Sequence, residues 1–146
     1  VNLETLDPHT HEQARQGFEA FLSWQGAMQI EYTVTEMAMV SETLAFGGTP
    51  DAIGRGKDGK LCLLDWKTSN AAYGDYVIQL AAYANLWHEN QPDEKLGAFY
   101  LLRFGKDFGD FHMHSYPLSA IEKGWRAFVC LREVYDLDKD LKKVAT

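Results

Sequence analysis

The stretch Leu44–Tyr83, LAFGGTPDAIGRGKDGKLCLLDWKTSNAAYGDYVIQLAAY, decides how this chain is read. Pro50-Asp51 is followed, after thirteen residues, by Asp65-Trp66-Lys67, and Gln79 and Tyr83 come next. Residues 61–67 form an apolar run with no helical period, short enough for a buried strand. Strand side chains alternate faces, so Asp65 and Lys67 share one face and Trp66 takes the other. Residues 44–55 also suit a strand, with Gly47, Gly48 and Pro50 marking a bulge or an edge where another backbone comes close. Lys57-Asp58-Gly59-Lys60 joins the two, and Asp-Gly is a strong hairpin signal. A hairpin brings Asp51 near Asp65, while its register stays open.

Two carboxylates and an ammonium at the end of a strand pair are costly without a purpose. Like charges a few ångströms apart repel and raise each other's pKa. A divalent cation removes that cost, and few, hard oxygen ligands suit Mg²⁺ or Mn²⁺. In such a site Lys67 would orient a water or stabilise charge on a pentavalent phosphorus.

Together these residues resemble the PD-(D/E)XK nuclease superfamily, with the motif written as Pro50-Asp51 and Asp65-Trp66-Lys67. Gln79-x-x-x-Tyr83 on the following helix resembles its RecB-like exonuclease branch, which includes the nuclease domain of RecB, phage exonucleases and the mitochondrial genome maintenance exonuclease. The resemblance covers roughly residues 30–104 and draws its strength from order and spacing together. It implies a divalent-metal-dependent DNA nuclease, an exonuclease by the branch. It also implies a restriction-endonuclease-like core. Asp51, Asp65 and the backbone carbonyl of Trp66 would bind Mg²⁺ or Mn²⁺, with Glu36 assisting. Lys67 would position the attacking water, and Gln79 and Tyr83 would steer the strand, with the hydroxyls of Thr68 and Ser69 nearby. Relatives often carry an upstream histidine in a Gly-rich entry to a helix. His9 and His11 do not match that setting, so Glu36 and Glu19 compete for the upstream acid. The implied partner is DNA, single-stranded or at duplex ends, and a helicase or replication partner is compatible. The alternative is a catalytically silent module of the same fold that binds DNA or a helicase.

A chain of 146 residues with 46% hydrophobic content is expected to form a single domain with a real core. It begins at Val1 rather than Met, as an excised or truncated fragment would. Cys62 and Cys130 lie among apolar residues and read as reduced core cysteines; two cannot supply the four thiolates of an iron–sulfur cluster. The expected compartment is cytoplasmic, viral or bacterial, with a mitochondrial origin left open. The net charge of −7 argues against tight, metal-independent duplex binding.

The remaining chain supplies a scaffold. Asp7-Pro8 suits a helix start, with Thr10-x-x-Gln13 a competing capping box, and Gly26 suits its end. Residues 29–40 alternate as one strand, which puts Glu36 in the apolar row of Ile30, Tyr32 and Val34. A glutamate there needs a partner: a metal, or a cation such as Arg55. Asp75 is expected to cap a helix over 76–88. Strands are expected over 96–103 and 110–116, the second with His112 and His114 on one face. Ser119-x-x-Glu122 opens a last helix whose stripe is Ile121, Trp125, Phe128, Val129 and Tyr135, fraying from Asp136. The fold class is α/β: a central mixed sheet flanked by helices, in the order αβββαββα.

Overall fold

The computed structural model describes residues 7–144. Helix α1 spans Pro8–Met28, and the Asp7 carboxylate caps it by accepting from the N–H groups of His9 and Thr10. The helix runs through Gly26 and ends at Gln29, whose left-handed backbone (φ 48°) turns its N–H back to the Gln25 carbonyl. A left-handed cap at Gln29 replaces the expected glycine stop.

Among the described residues, seven strands follow in two sheets. Strands β1 (Glu31–Thr35), β4 (Ala52–Arg55), β5 (Leu61–Thr68), β6 (Leu96–Phe104) and β7 (Phe111–Ser115) form one mixed sheet in the order β1-β4-β5-β6-β7. β5 and β6 are parallel and the other pairs antiparallel. Strands β2 (Met39–Ser41) and β3 (Phe46–Gly48) form a separate antiparallel ribbon. Thus each of the first two expected strands is broken in two. The first breaks because β1 carries a register shift between Tyr32 and Val34, and Glu36 adopts a positive φ of 50°. The second breaks around Pro50, which offers no N–H to a ladder. Glu36 therefore leaves the apolar row expected for it and is exposed.

Helix α2 (Gly74–Asn90) makes the crossover that the parallel β5–β6 pair requires. It starts after Tyr73, so Asp75 lies in its first turn rather than at the cap. The central sheet has two covered faces. On one, Ile53, Leu61 and Leu63 pack with Leu80, Ala81 and Ala84 of α2 and Ile121 of helix α3 (Leu118–Val144). On the other, Ala52, Cys62, Leu64 and Leu102 pack with Phe21, Trp24 and Met28 of α1. Cys62 is buried as expected, but Cys130 is exposed. The α3 stripe holds as far as Phe128, which meets Phe46 of the ribbon at 4.6 Å between ring centroids. Beyond it Val129 and Tyr135 are exposed, because α3 (Leu118–Val144) runs on past the part of it that packs against α2 and the ribbon. It stays helical to Val144, supported by the i,i+4 pairs Arg132–Asp136 and Lys142–Asp138.

α2 and α3 approach closely at Gly124, where an added Cβ would sit 2.9 Å from the Val77 carbonyl oxygen and 3.0 Å from the Ala81 Cβ. The obstacle is helix backbone, which cannot step aside. Gly124→Val is expected to destabilise the fold by ~1–3 kcal/mol through overpacking. Urea denaturation measures it, and a midpoint at or above that of the wild type would contradict the close contact.

Candidate active site

Asp65 stands near the C-terminal end of the central strand β5, with β4 on one side and β6 on the other. The β4–β5 register pairs Ala52 with Leu64. One step on, Asp51 opposes Asp65, and the Asp51 carboxylate accepts the Trp66 N–H at 2.6 Å. That bond closes the hairpin at the expected place. Lys67, two residues past Asp65 on the same face, brings Nζ to 2.6 Å from Asp65 Oδ2. The approach is an ion contact outside hydrogen-bonding angles, and Asp65 Oδ2 accepts no directed hydrogen bond. Asp65 is 2% exposed and Lys67 21%. Burial pushes the Asp65 carboxyl up, Lys67 pulls it back, and the neighbouring Asp51 charge raises it again, to about 6.

Helix α2 covers this face. Tyr83 is half-buried, and its hydroxyl is pushed up, first by burial and then by the charges of Asp65 and Asp51. The ribbon backbone lies against it: a Cβ on Gly48 would come within 2.7 Å of the Tyr83 ring. Gln79, one turn earlier, is exposed. Gln79 and Tyr83 share a cleft of about 280 Å³ with Phe46, Ile78 and Phe128. Lys67 turns its ammonium over the ring of Tyr76, 5.6 Å from the centroid.

The other expected residues are placed differently. Glu36 reaches the site through its backbone, its N–H donating to the Asp51 carbonyl at 3.0 Å. Arg55, its expected alternative partner, pairs with Glu94 instead. Glu19 sits on α1, across the sheet from Asp65, and pairs with Arg15. His9 and His11 are exposed at the start of α1. Thr68 lines a cleft toward α1 rather than the Asp65 face. Ser69 is buried, and its N–H, hydroxyl and carbonyl are engaged by Phe104, Ala71 and Arg103. His112 and His114 do share a face, 6.3 Å apart, and His112 lies 3.2 Å from Asp110.

Arg103 escaped the sequence reading. It pairs with Lys67 in the parallel register, so it lies beside the site on the same face. It is almost wholly buried, donates to the Ser69 carbonyl at 2.8 Å, and forms an ion pair with Asp110. A lone arginine in a strand of otherwise apolar residues was the available signal.

The donor set suits a hard divalent cation supplied mostly by solvent and substrate. Asp51 and Asp65 offer two carboxylates against one ammonium. Among the described residues, no group of three or more His, Cys, Asp and Glu side chains could form a closed metal cage. Mg²⁺ and Mn²⁺ sites of this kind keep several waters and share substrate phosphates.

The sequence profile of the PD-(D/E)XK nuclease superfamily matches residues 4–129. The chain belongs to the PD-(D/E)XK nuclease superfamily. Nucleases of this superfamily generally use divalent metals such as Mg²⁺. The fold is similar to that of a protein from Eubacterium rectale described as a candidate exonuclease, with 14% identity and a TM-score of 0.57 over 81% of this chain. The match takes in 49% of that protein, so the chain spans about half its length. An alkaline exonuclease from Laribacter hongkongensis aligns over 95% of this chain and 77% of its own, at 13% identity and a TM-score of 0.47. No curated protein sequence matches.

The raised Asp65 pKa has a definite consequence for the metal-free protein. The folded state holds the Asp65 proton more tightly than the unfolded chain. Stability from this group is therefore full below about pH 4 and is lost as pH rises to about 6. Asp65→Asn is expected to stabilise the protein in chelator above pH 6, by on the order of 2 kcal/mol, with the gain vanishing near pH 4. Thermal melts of both proteins across that range check it; a gain independent of pH would show that charge burial is not the cause.

Proposed function

We propose that the chain is a divalent-metal-dependent deoxyribonuclease that hydrolyses phosphodiester bonds as an exonuclease. The observation that carries the reading is the opposition of Asp51 and buried Asp65 across β4–β5, with Lys67 2.6 Å from Asp65 under α2. Asp51, Asp65 and the Trp66 carbonyl would hold Mg²⁺ or Mn²⁺, and Glu36, whose backbone abuts Asp51, is the nearest further acid. The cation, when bound, polarises a phosphoryl oxygen and lowers the pKa of a water. With a cation held by Asp51 and Asp65, Asp65 would remain ionised and Lys67 would be less committed to balancing it. Lys67 then places an ammonium where negative charge builds on phosphorus. Gln79, on the exposed side of α2, and Tyr83, at its buried edge, line the cleft along which the strand would run. Thr68 and Ser69 take less part, because one faces α1 and the other has its polar groups satisfied within the protein. Membership of the superfamily supports DNA as the substrate, and we take it to be engaged single-stranded or at duplex ends. The exonuclease form is supported by the likeness to the Eubacterium rectale protein. An intact Asp51, Asp65 and Lys67 set disfavours the catalytically silent alternative, since loss of activity leaves those residues unconstrained.

Digestion of end-labelled linear and closed-circular DNA tests the activity. Mg²⁺ and Mn²⁺ are expected to support cleavage and Ca²⁺ to support binding with little turnover, because its looser coordination suits in-line attack poorly. Full activity in excess chelator would remove the metal mechanism, and equal cleavage of closed circles would remove the exonuclease assignment.

Lys67→Ala is expected to lower kcat by roughly 10²–10³-fold with little change in KM, because its interaction strengthens in the transition state. Gln79→Ala should cost less, on the order of 1–3 kcal/mol, and fall partly on KM. Metal affinity should stay near wild type in both, measured by Mn²⁺ calorimetry. A rise in KM at unchanged kcat for Lys67→Ala would reverse the division of roles.

A further inference from the structure

The charge balance poses a problem for the function just proposed. The chain carries −7 overall, the site holds Asp51 and the buried Asp65, and the first turn of α2 adds the exposed Asp75. Phosphate contacts from lysine and arginine supply most of the affinity in ordinary nucleic-acid binders. Here that source is weak, so a grip on DNA must come from something other than charge.

An aromatic step borders the site at the place where that grip would be needed. Tyr73 is 50% exposed at the N-terminal end of α2. Its ring meets Tyr76 edge to face, 5.5 Å between centroids. The Lys67 ammonium lies 5.6 Å from the centre of the Tyr76 ring and 2.6 Å from Asp65. Tyr73 is thus separated from the buried carboxylate by one ring and one ammonium. It contributes to neither buried cluster of the core.

The segment leading to Tyr73 is tied to the rest of the protein at Ser69 and Asn70, and the Tyr73 carbonyl accepts the Tyr76 N–H at 3.2 Å. Ser69 N–H donates to the Phe104 carbonyl at 2.9 Å, and its hydroxyl donates to the Ala71 carbonyl at 2.7 Å. Arg103, 7% exposed, donates to the Ser69 carbonyl. Asn70 bridges to the β6–β7 loop, donating to the Asp107 carboxylate at 2.7 Å and accepting the Lys106 N–H at 3.1 Å. An exposed ring on a fixed backbone loses little freedom when a ligand covers it, which favours binding.

From this arrangement we infer that Tyr73 is a nucleobase-stacking residue. An unpaired base of the DNA strand, close to the phosphate under attack, lies on its exposed ring. The inference rests on the nuclease reading and deepens it. A stacked base needs a free face, so the protein prefers single strands and frayed ends over closed duplex. Base–aromatic stacking is tolerant of sequence and carries no charge, so it works on an acidic surface. It also explains how a chain with so few cations at its site can hold a polyanion.

The test uses the full chain with Ca²⁺ in place of Mg²⁺. Dissociation constants are measured by fluorescence anisotropy for a short labelled single strand and for a duplex closed by hairpins at both ends. Tyr73→Ala is expected to weaken single-strand binding roughly 5- to 150-fold. Tyr73→Phe, which keeps the ring, should bind like the wild type. The closed duplex should bind weakly and equally to all three, and the slope of log K against log salt should not change with the variant. Unchanged single-strand binding by Tyr73→Ala overturns the inference. So does a Tyr73→Phe as weak as Tyr73→Ala, or an equal loss on the closed duplex. A 2-aminopurine single strand gives a readout on the wild type alone: stacking quenches its emission on binding, and unquenched emission overturns the inference even if Tyr73→Ala does not fold. A wild type that cleaves DNA while Tyr73→Ala keeps its KM and affinity removes the stacking role only. A wild type that neither binds nor cleaves DNA with any divalent metal removes the nuclease reading and the stacking role together.

Discussion

A carboxylate buried at the end of a central strand is the constraint on which this structure turns. Asp65 has strands on both sides, a helix above it and almost no water. An ion in that position is expensive unless charge or hydrogen bonds compensate it. Lys67 compensates part, from two residues along the same strand face. Asp51 works against it, and its own carboxylate is held in place by the Trp66 N–H. The result is a carboxyl that ionises only near pH 6 without a cation and has an oxygen free of directed hydrogen bonds. On the function proposed above, a bound cation would relieve the cost that this burial imposes.

The parallel pairing of β5 and β6 determines what faces that carboxylate. Parallel neighbours need a crossover, and α2 supplies it, crossing the face to which Asp65 and Lys67 point. Tyr76 and Tyr83 reach the site from this one helix, and Gln79 lies between them. The approach is close because small residues permit it. Gly48 lets the ribbon meet Tyr83, and Gly124 lets α3 press α2 toward the sheet. The opposite face is covered by α1, whose Phe21 packs against Trp24 and against Trp66 of β5.

Arg103 joins the two halves of the site's rim. Buried beside Lys67, it ties the β5–α2 segment to Asp110 and the β6–β7 loop. Its charge is balanced locally by Asp110, whose carboxyl is held below its usual range first by that pairing. The arginine therefore serves as a strut, leaving Lys67 as the cation nearest the acid pair.

Local patterning determined much of this protein from the sequence alone. The apolar run ending in Asp-Trp-Lys, the Asp-Gly turn and the 14-residue step from Asp51 to Asp65 were enough to place both acids and the lysine together, because strand alternation and hairpin closure are short-range rules. The helices α1, α2 and α3 and the mixed sheet between them were legible for the same reason. Tertiary structure decided the rest. Alternation over residues 29–40 put Glu36 in the core row, but a bulge in β1 and a left-handed turn released it to solvent, and periodicity cannot register a bulge. Val129 and Tyr135 keep the helical spacing of the stripe, yet both are exposed, because helical spacing does not say how far along α3 (Leu118–Val144) its packing partners reach. Ser69 and Arg103 are 34 positions apart and meet only because β5 and β6 lie side by side. Contacts of that range depend on which strands pair and which helix crosses over them, and no window of sequence contains that information.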